Sequence, residues 1–217
     1  MKVSKFINLH QLERSRVFSI AAGILAASVL ALEAGSVKLE VTPVEPVKLE
    51  KRGAMWFADF AQDAYGNLQF TFAGEVPAAT LTVRLGEKLD PNGRIERQPP
   101  GSVNFRELTL TTEPGKLIYT LKIPSKPAHL KPGAVATPPE IGEVTPFRYA
   151  EIEGWPLPLD KSELRQLFVH APFDDEAASF ESADVTLNAI WGLCKHTMKA
   201  TTAFGLYIDG ERERVPY

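Results

Sequence analysis

A single cysteine, Cys194, stands in a chain of 217 residues, which excludes an internal disulfide framework and any multi-cysteine metal site. Excess positive charge is missing too: 24 Lys and Arg face 27 Asp and Glu, for a net charge of −3. Nucleic-acid binding, which calls for a clustered basic surface, therefore has no electrostatic support. Proline is absent from the first 42 residues and again between Pro172 and Pro216, while all 17 prolines lie beyond residue 42. An interior proline costs a helix about 3 kcal/mol, so long helices are excluded from most of the middle of the chain. Neither a nucleophile elbow nor a phosphate loop occurs, and no cofactor is implied. His129 and His170 have no companions that would make a triad. Cys194-Lys195-His196 has no further ligands nearby, so a core cysteine and a surface histidine are expected there. At about 100–200 residues per domain, the length holds one domain, or one and part of another.

The N-terminus carries Lys2, Lys5, Arg14 and Arg16, followed by an uncharged run from Val17 to Leu32. That run is shorter than the ~20 apolar residues of a membrane-spanning helix, so no stable membrane span is expected. Small residues follow, at Val29-Leu30-Ala31 and Leu32-Glu33-Ala34, of the kind a signal peptidase accepts. Residues 1–34 are therefore expected to be a signal peptide, and the protein to be exported, periplasmic or extracellular. Without them the net charge becomes −5, since four Lys/Arg and two Asp/Glu are removed. A buried N-terminal helix or an uncleaved anchor is the structural alternative.

The middle of the chain alternates with period 2, the mark of strands with one apolar face. Leu68, Phe70 and Phe72 alternate with polar residues after Tyr65-Gly66-Asn67, which reads as a turn. Leu81, Val83 and Leu85 follow, then Asp90-Pro91-Asn92-Gly93 with proline and glycine where a turn wants them. Residues 105–110 and 117–121 flank Glu113-Pro114-Gly115, a hairpin signal. Further strands are expected at 147–152 and 164–170. Short antiparallel strands at this spacing predict a mainly β fold, a β-sandwich of jelly-roll type over residues 35–179. Trp56, Phe57, Phe60, Phe70 and Phe72 are its aromatic core candidates. Eight prolines fall between Pro124 and Pro158, and residues 125–143 read as a long loop, a feature usually functional or mobile.

After residue 180 the period changes. Leu187, Ile190, Trp191, Cys194 and Met198 fall on one helical stripe, with Ser182 or Asp184 able to cap the N-terminus. A helix over 184–200 cannot bury that stripe alone, so it is expected to be under-buried. Beyond it lies Asp209-Gly210-Glu211-Arg212-Glu213-Arg214, the densest charge constellation in the chain. Glycosidic cleavage wants such groups: one carboxylic acid protonates the leaving oxygen and a second group activates water. The bland alternative is a solvated loop whose opposite charges partly cancel, with pairs worth about 0–1 kcal/mol. Asp174-Asp175-Glu176 is read as a solvated turn.

The stretch Phe180-Glu181-Ser182, Leu187-Asn188-Ala189-Ile190-Trp191, Cys194-Lys195 and Asp209 to Arg214 resembles the entry into the catalytic domain of α-L-rhamnosidases, glycoside hydrolase family 78, the six-hairpin glycosidases. Leu85-Gly86-Glu87, Arg106-Glu107, Ile141-Gly142-Glu143 and Pro146-Phe147-Arg148-Tyr149 resemble the β-sandwich before it. The likeness runs from about residue 55 onward. It implies that residues 180–217 start an (α/α)6 barrel that these residues do not complete. It implies Glu213 as the general acid, with Asp209 and Arg212 holding the sugar. Gly210 stands where the family has Cys-Pro, with a shorter spacing. The family's catalytic base lies far downstream in the barrel, so the chain is expected to be inactive alone.

The implied substrate is a plant or microbial glycoside or polysaccharide with terminal rhamnose, cleaved with inversion. No metal is implied. The alternative is a stand-alone carbohydrate-binding or interaction β-sandwich without catalysis, for which Trp155, Tyr149 and Trp56 are candidate contact aromatics. A purely structural sandwich ranks third, since it leaves the charged C-terminus unexplained.

Overall fold

Seventeen consecutive residues, Met55–Thr71, form one strand, β3, and the rest of the fold is arranged along it. The computed structural model describes residues 38–208, 210–211 and 214–215. The expected signal peptide, residues 1–34, lies outside them. The other strands are β1 (Glu40–Val44), β2 (Lys48–Arg52), β4 (Ala79–Gly86), β5 (Phe105–Thr112), β6 (Ile118–Thr120), β7 (Thr145–Glu153) and β8 (Leu164–His170). One α-helix among the described residues, α1 (Val185–Ala200), closes the order. The fold is mainly β, as the alternation predicts.

All eight strands belong to one antiparallel sheet, in the order β1-β8-β3-β7-β4-β5, with β2 and β6 also paired to β3. Residues 55–59 of β3 lie between β2 and β7, while residues 66–70 pair with β8 and 69–71 with β6. Between these stretches the register shifts at Asp59/Ala64, and Ala61 takes a φ of 70°. This irregularity joins two groups of strands that share one core. Ala58, Val83, Leu85 and Ile152 come from the first group, and Leu68, Phe70, Tyr119 and Leu164 from the second. The arrangement is sandwich-like, yet continuous.

Two local readings change. Tyr65-Gly66-Asn67 is not a turn, because β3 runs straight through it. Gly66 serves a close approach instead: a Cβ there would lie 2.4 Å from the carbonyl oxygen of Leu167 on β8. The turn at Glu113-Pro114-Gly115 forms, with Gly115 at φ 82°, but β5 and β6 do not pair as a hairpin. β6 leaves for β3, where Tyr119 and Leu121 join the core and the Leu121 N–H donates to the Leu68 carbonyl at 3.1 Å. Trp155, a contact candidate, stacks on Phe72 at 4.4 Å and is buried. It is a core residue. Trp56 and Tyr149 are half-buried, and Tyr149 stacks on Phe57.

The sheet's outer face is covered twice. Residues 87–104 fold over the β7–β4 region, where the Ile95 N–H donates to Glu151 Oε1 at 2.9 Å and both residues are buried. Gly86 permits this, since a Cβ there would meet the Ile95 side chain at 2.3 Å. The other cover comes from the 125–143 loop and residues 203–208, packing Val144, Ala203, Phe204 and Ile208 against Tyr65 and Val169.

Helix α1 begins where its cap predicts: Asp184 accepts the Thr186 N–H at 2.8 Å. Its inner side meets the sheet through Ala200, packed with Ala64 and Phe168, and through His196 Nε2, which donates to the Asp63 carbonyl at 2.6 Å. The apolar stripe points elsewhere. Leu187, Ile190 and Met198 are 45%, 50% and 49% exposed; Trp191 is covered in part by Phe180 at 5.7 Å, and Met198 shares a shallow apolar hollow with Phe173 and Ala177. Cys194 is exposed rather than a core residue. His196, expected at the surface, is half-buried against Phe168.

Candidate functional site

The charged run 209–214 holds the residues expected to do chemistry, and of these Asp209, Arg212 and Glu213 lie outside the described residues. The described members of the run, Gly210, Glu211 and Arg214, are not a solvated loop. Arg214 is 1% exposed and Glu211 4%. Arg214 donates from Nε to Glu211 Oε2 at 3.0 Å and from Nη2 to the same oxygen at 2.9 Å. Its Nη2 also reaches the Val144 carbonyl at 2.6 Å, and Nη1 pairs with Glu143 Oε1 at 2.6 Å. The guanidinium lies over the Phe204 ring, 4.7 Å from its centroid. Planar, fork-shaped donors suit such a multiply shared site better than a lysine would.

The partners come from the proline-rich loop. His129, buried on a short 3-10 turn over Pro127–Leu130, donates from Nε2 to the Glu211 carbonyl at 2.8 Å and sets Nδ1 3.3 Å from Glu143 Oε1. Lys126 Nζ lies 3.2 Å from Glu211 Oε1 and also donates to Asn104 Oδ1. Ser125 donates to Glu143 Oε2 at 2.7 Å, and the Val135 N–H reaches the Arg214 carbonyl at 2.9 Å. The loop expected to be functional or mobile is thus a clasp on the C-terminal segment. Arg214 sits at φ 52°, a left-handed conformation that costs a non-glycine residue of order 1 kcal/mol and persists where surroundings dictate it.

The electrostatics follow from burial. Desolvation works to raise Glu143, but Ser125 and the Arg214 guanidinium outweigh it and hold the carboxyl below its usual range. Burial lowers Lys126 despite the opposing pull of Glu211. Burial likewise lowers Arg106, and it raises the Tyr65 phenol with help from the Glu211 charge. The clasp binds the described residues on either side of Arg212 and Glu213 to the β-domain. Most of its charges are paired, while Arg106 Nε and Nη2 and Glu211 Oε1 have no hydrogen-bond partner among the described residues.

Sequence reasoning passes over Glu211, Arg214, His129 and Glu143 as members of one site. The signal for Glu211 and Arg214 is their place in the same run. His129 and Glu143 carry none, being 82 and 68 residues from Glu211.

A second titratable group lies apart from the clasp. Asp63, at the β3 irregularity, faces Glu87 in a cavity of about 390 Å³ between the sheet and α1. Burial, then the Glu87 charge, pushes its carboxyl up to about 8. Among the described residues no group of three or more His, Cys, Asp or Glu is placed to hold a metal ion, and no helix is long and apolar enough to cross a membrane.

The sheet-and-clasp geometry defines a class before it defines a relative: a mainly β domain of one antiparallel sheet followed by a helix. No protein-family model matches the chain, and no curated protein does. Solved structures do. The α-L-rhamnosidase from Dictyoglumus thermophilum is similar with a TM-score of 0.61 over 84% of this chain and 19% of its own, at 15% identity. That from Aspergillus terreus scores 0.55 over 81% of this chain and 18% of its own, at 17% identity. The Streptomyces avermitilis enzyme, solved with L-rhamnose, scores 0.55 over 82% and 16%, at 17% identity. The chain has the fold of a β-domain of such enzymes and spans less than a fifth of their length.

Proposed function

We propose that the chain is the β-domain portion of an exported glycoside hydrolase resembling inverting α-L-rhamnosidases, and that it delivers the 209–214 segment to a helical catalytic domain. The observation that carries this reading is the shared β fold followed by a helix whose apolar stripe is only partly covered. Leu187, Ile190 and Met198 are the side chains a helical neighbour would bury. The clasp then has a purpose: it ties that segment to a rigid sheet, as a catalytic group's support should be.

In this reading Glu213 protonates the glycosidic oxygen, while Asp209 and Arg212 hold the sugar. Inversion needs a second carboxylate roughly 6.5–9.5 Å from the acid to activate water. That base belongs to the helical domain, which would also desolvate Glu213 and raise its pKa. The 217-residue polypeptide should therefore turn over no rhamnoside by itself.

The test is to read the coding sequence past Tyr217 and to assay the longest product on a chromogenic α-L-rhamnoside. Turnover is expected in that product, and Glu213→Gln should lower kcat by about 10²–10⁴-fold, the usual share of a general acid. A longer product without rhamnosidase activity, or one indifferent to Glu213→Gln, would sink the proposal.

A further inference from the structure

We propose that the outer face of the sheet carries a second, separate site, an arginine-lined pocket that takes the carboxylate of an acidic sugar. Arg52 of β2, Arg84 of β4, and Arg94 and Arg97 of the 87–104 segment line one cavity of about 300 Å³ together with Glu153 of β7. Four guanidiniums and one carboxylate line it, and of the four only Arg84 pairs with that carboxylate. It shares no residue with the clasp.

Three of the guanidiniums are set in place before any ligand arrives. Arg52 donates from Nε to Glu50 and from Nη1 to the Gly93 carbonyl, each at 2.5 Å, and stacks 3.5 Å above the Phe57 ring centroid. Arg84 spans Glu107 at 2.6 Å and Glu153 at 2.8 Å. Arg97 is paired through Nη2 with the fully buried Glu151. Of these four carboxylate partners only Glu153 lines the cavity. The others hold the guanidiniums from outside it and fix their geometry before a ligand arrives.

Two of the guanidiniums keep unpaired donors. Arg97 keeps its Nη1 buried without a hydrogen-bond partner among the described residues. Arg94 is exposed, and its side chain has no hydrogen-bond or ion-pair partner among them. The exposed Arg94 guanidinium is the one free to meet a ligand, and an oxyanion would give it a charge-assisted pair. The Asp90–Gly93 turn fixes where Arg94 leaves the backbone: Asp90 Oδ1 accepts the Asn92 and Arg94 N–H groups, each at 2.9 Å.

The identity of the anion follows from Glu153. The guanidiniums alone would draw either anion, but inorganic phosphate near neutral pH offers Glu153 at most one or two hydroxyls and no apolar face. A sugar carboxylate has one charge, and Glu153 then accepts from the neighbouring hydroxyls. Ala54 and Met55 supply the apolar contact that the C–H face of a sugar ring needs. The volume, at the lower end of the ~300–1,000 Å³ typical of small-molecule sites, suits a sugar ring rather than a bulky ligand.

The test is calorimetric titration of the 217-residue chain, at low salt, with D-glucuronate, D-glucose and inorganic phosphate in parallel. Glucuronate should bind, glucose should not, and phosphate should bind roughly tenfold more weakly. Arg94→Gln should weaken glucuronate roughly tenfold, about the loss of one charge-assisted pair. Arg97→Lys keeps the charge but loses the planar fork, and should weaken it too. Arg94 is exposed, so a folded variant that binds glucuronate like the parent overturns the site, as does absence of binding to the parent. Glucose binding equally well, or phosphate as tightly, overturns the carboxylate assignment. None of these outcomes bears on rhamnoside hydrolysis, which rests on other residues.

Discussion

The C-terminal end of the chain reverses the usual placement of side chains. Helix α1 leaves Leu187, Ile190 and Met198 about half exposed, whereas Glu211 and Arg214, just beyond it, are almost fully buried. Polarity alone would have put the first group inside and the second outside. What decides is the supply of partners. Arg214 finds Glu211, Glu143, the Val144 carbonyl and the Phe204 ring on elements already packed together. Among the described residues the helix stripe meets only the largely exposed 173–180 segment, through Phe173, Ala177, Ala178 and Phe180, which covers it in part. Burial, here, tracks complementarity rather than hydropathy.

Breaking the buried side should have the largest effect. Arg214→Met removes the cation between buried Glu211 and half-buried Glu143, and leaving a buried charge uncompensated costs about 3–5 kcal/mol. Urea denaturation of the variant should show that loss, and an unchanged midpoint would mean the clasp carries no stability. His129→Leu should follow at about 1–3 kcal/mol, because the Glu211 carbonyl loses its buried donor. The same titration measures it.

A pH experiment sharpens the inner side of the helix, where His196 meets the Asp63 carbonyl. Asp63 is raised from an ordinary aspartate value to about 8 in the folded chain. Between about pH 4 and pH 8 the folded state therefore holds a proton that the unfolded state has released. Its contribution to stability is present at the acid end of that window and is lost as pH rises through it. Asp63→Asn should flatten this fall relative to the parent, read as the difference in denaturation midpoint across pH. A parallel fall in both proteins would remove Asp63 as its cause.

The smallest effect should come from the exposed stripe. Leu187→Ser with Ile190→Ser ought to change stability little, within roughly 0.5 kcal/mol per site, as surface changes generally do. Hydrogen exchange in α1 should be faster than in β3. Slow exchange there, or a large destabilisation, would show that the stripe is covered in solution.

Local features of the chain were legible in its residues, and long-range ones were not. Alternation located β4, β7 and β8, and the Asp184 cap with the apolar stripe bounded α1 to within a residue. Gly66 misled because glycine marks both turns and close approaches, and only the neighbouring β8 backbone decides which. The 113–115 turn misled for a related reason. Tyr119 is drawn to Phe72 and the core, so β6 pairs with the free side of β3 rather than with β5. Trp155 was ambiguous for want of Phe72. Glu211 and Arg214 stood in plain view, but their burial depends on Glu143 and His129, whose spacing has no local period to betray it.

Strand β3 bears on how the domain comes apart. It pairs with β2, β7, β8 and β6 along a single backbone, so both groups of strands hang from one beam. Neither group can be excised, swapped or melted while the other stays intact. Although its outer face wears two separate coverings, the sheet should lose its structure in one cooperative step. In mechanical terms that makes the sheet a single unit, one that can be strengthened or weakened only as a whole.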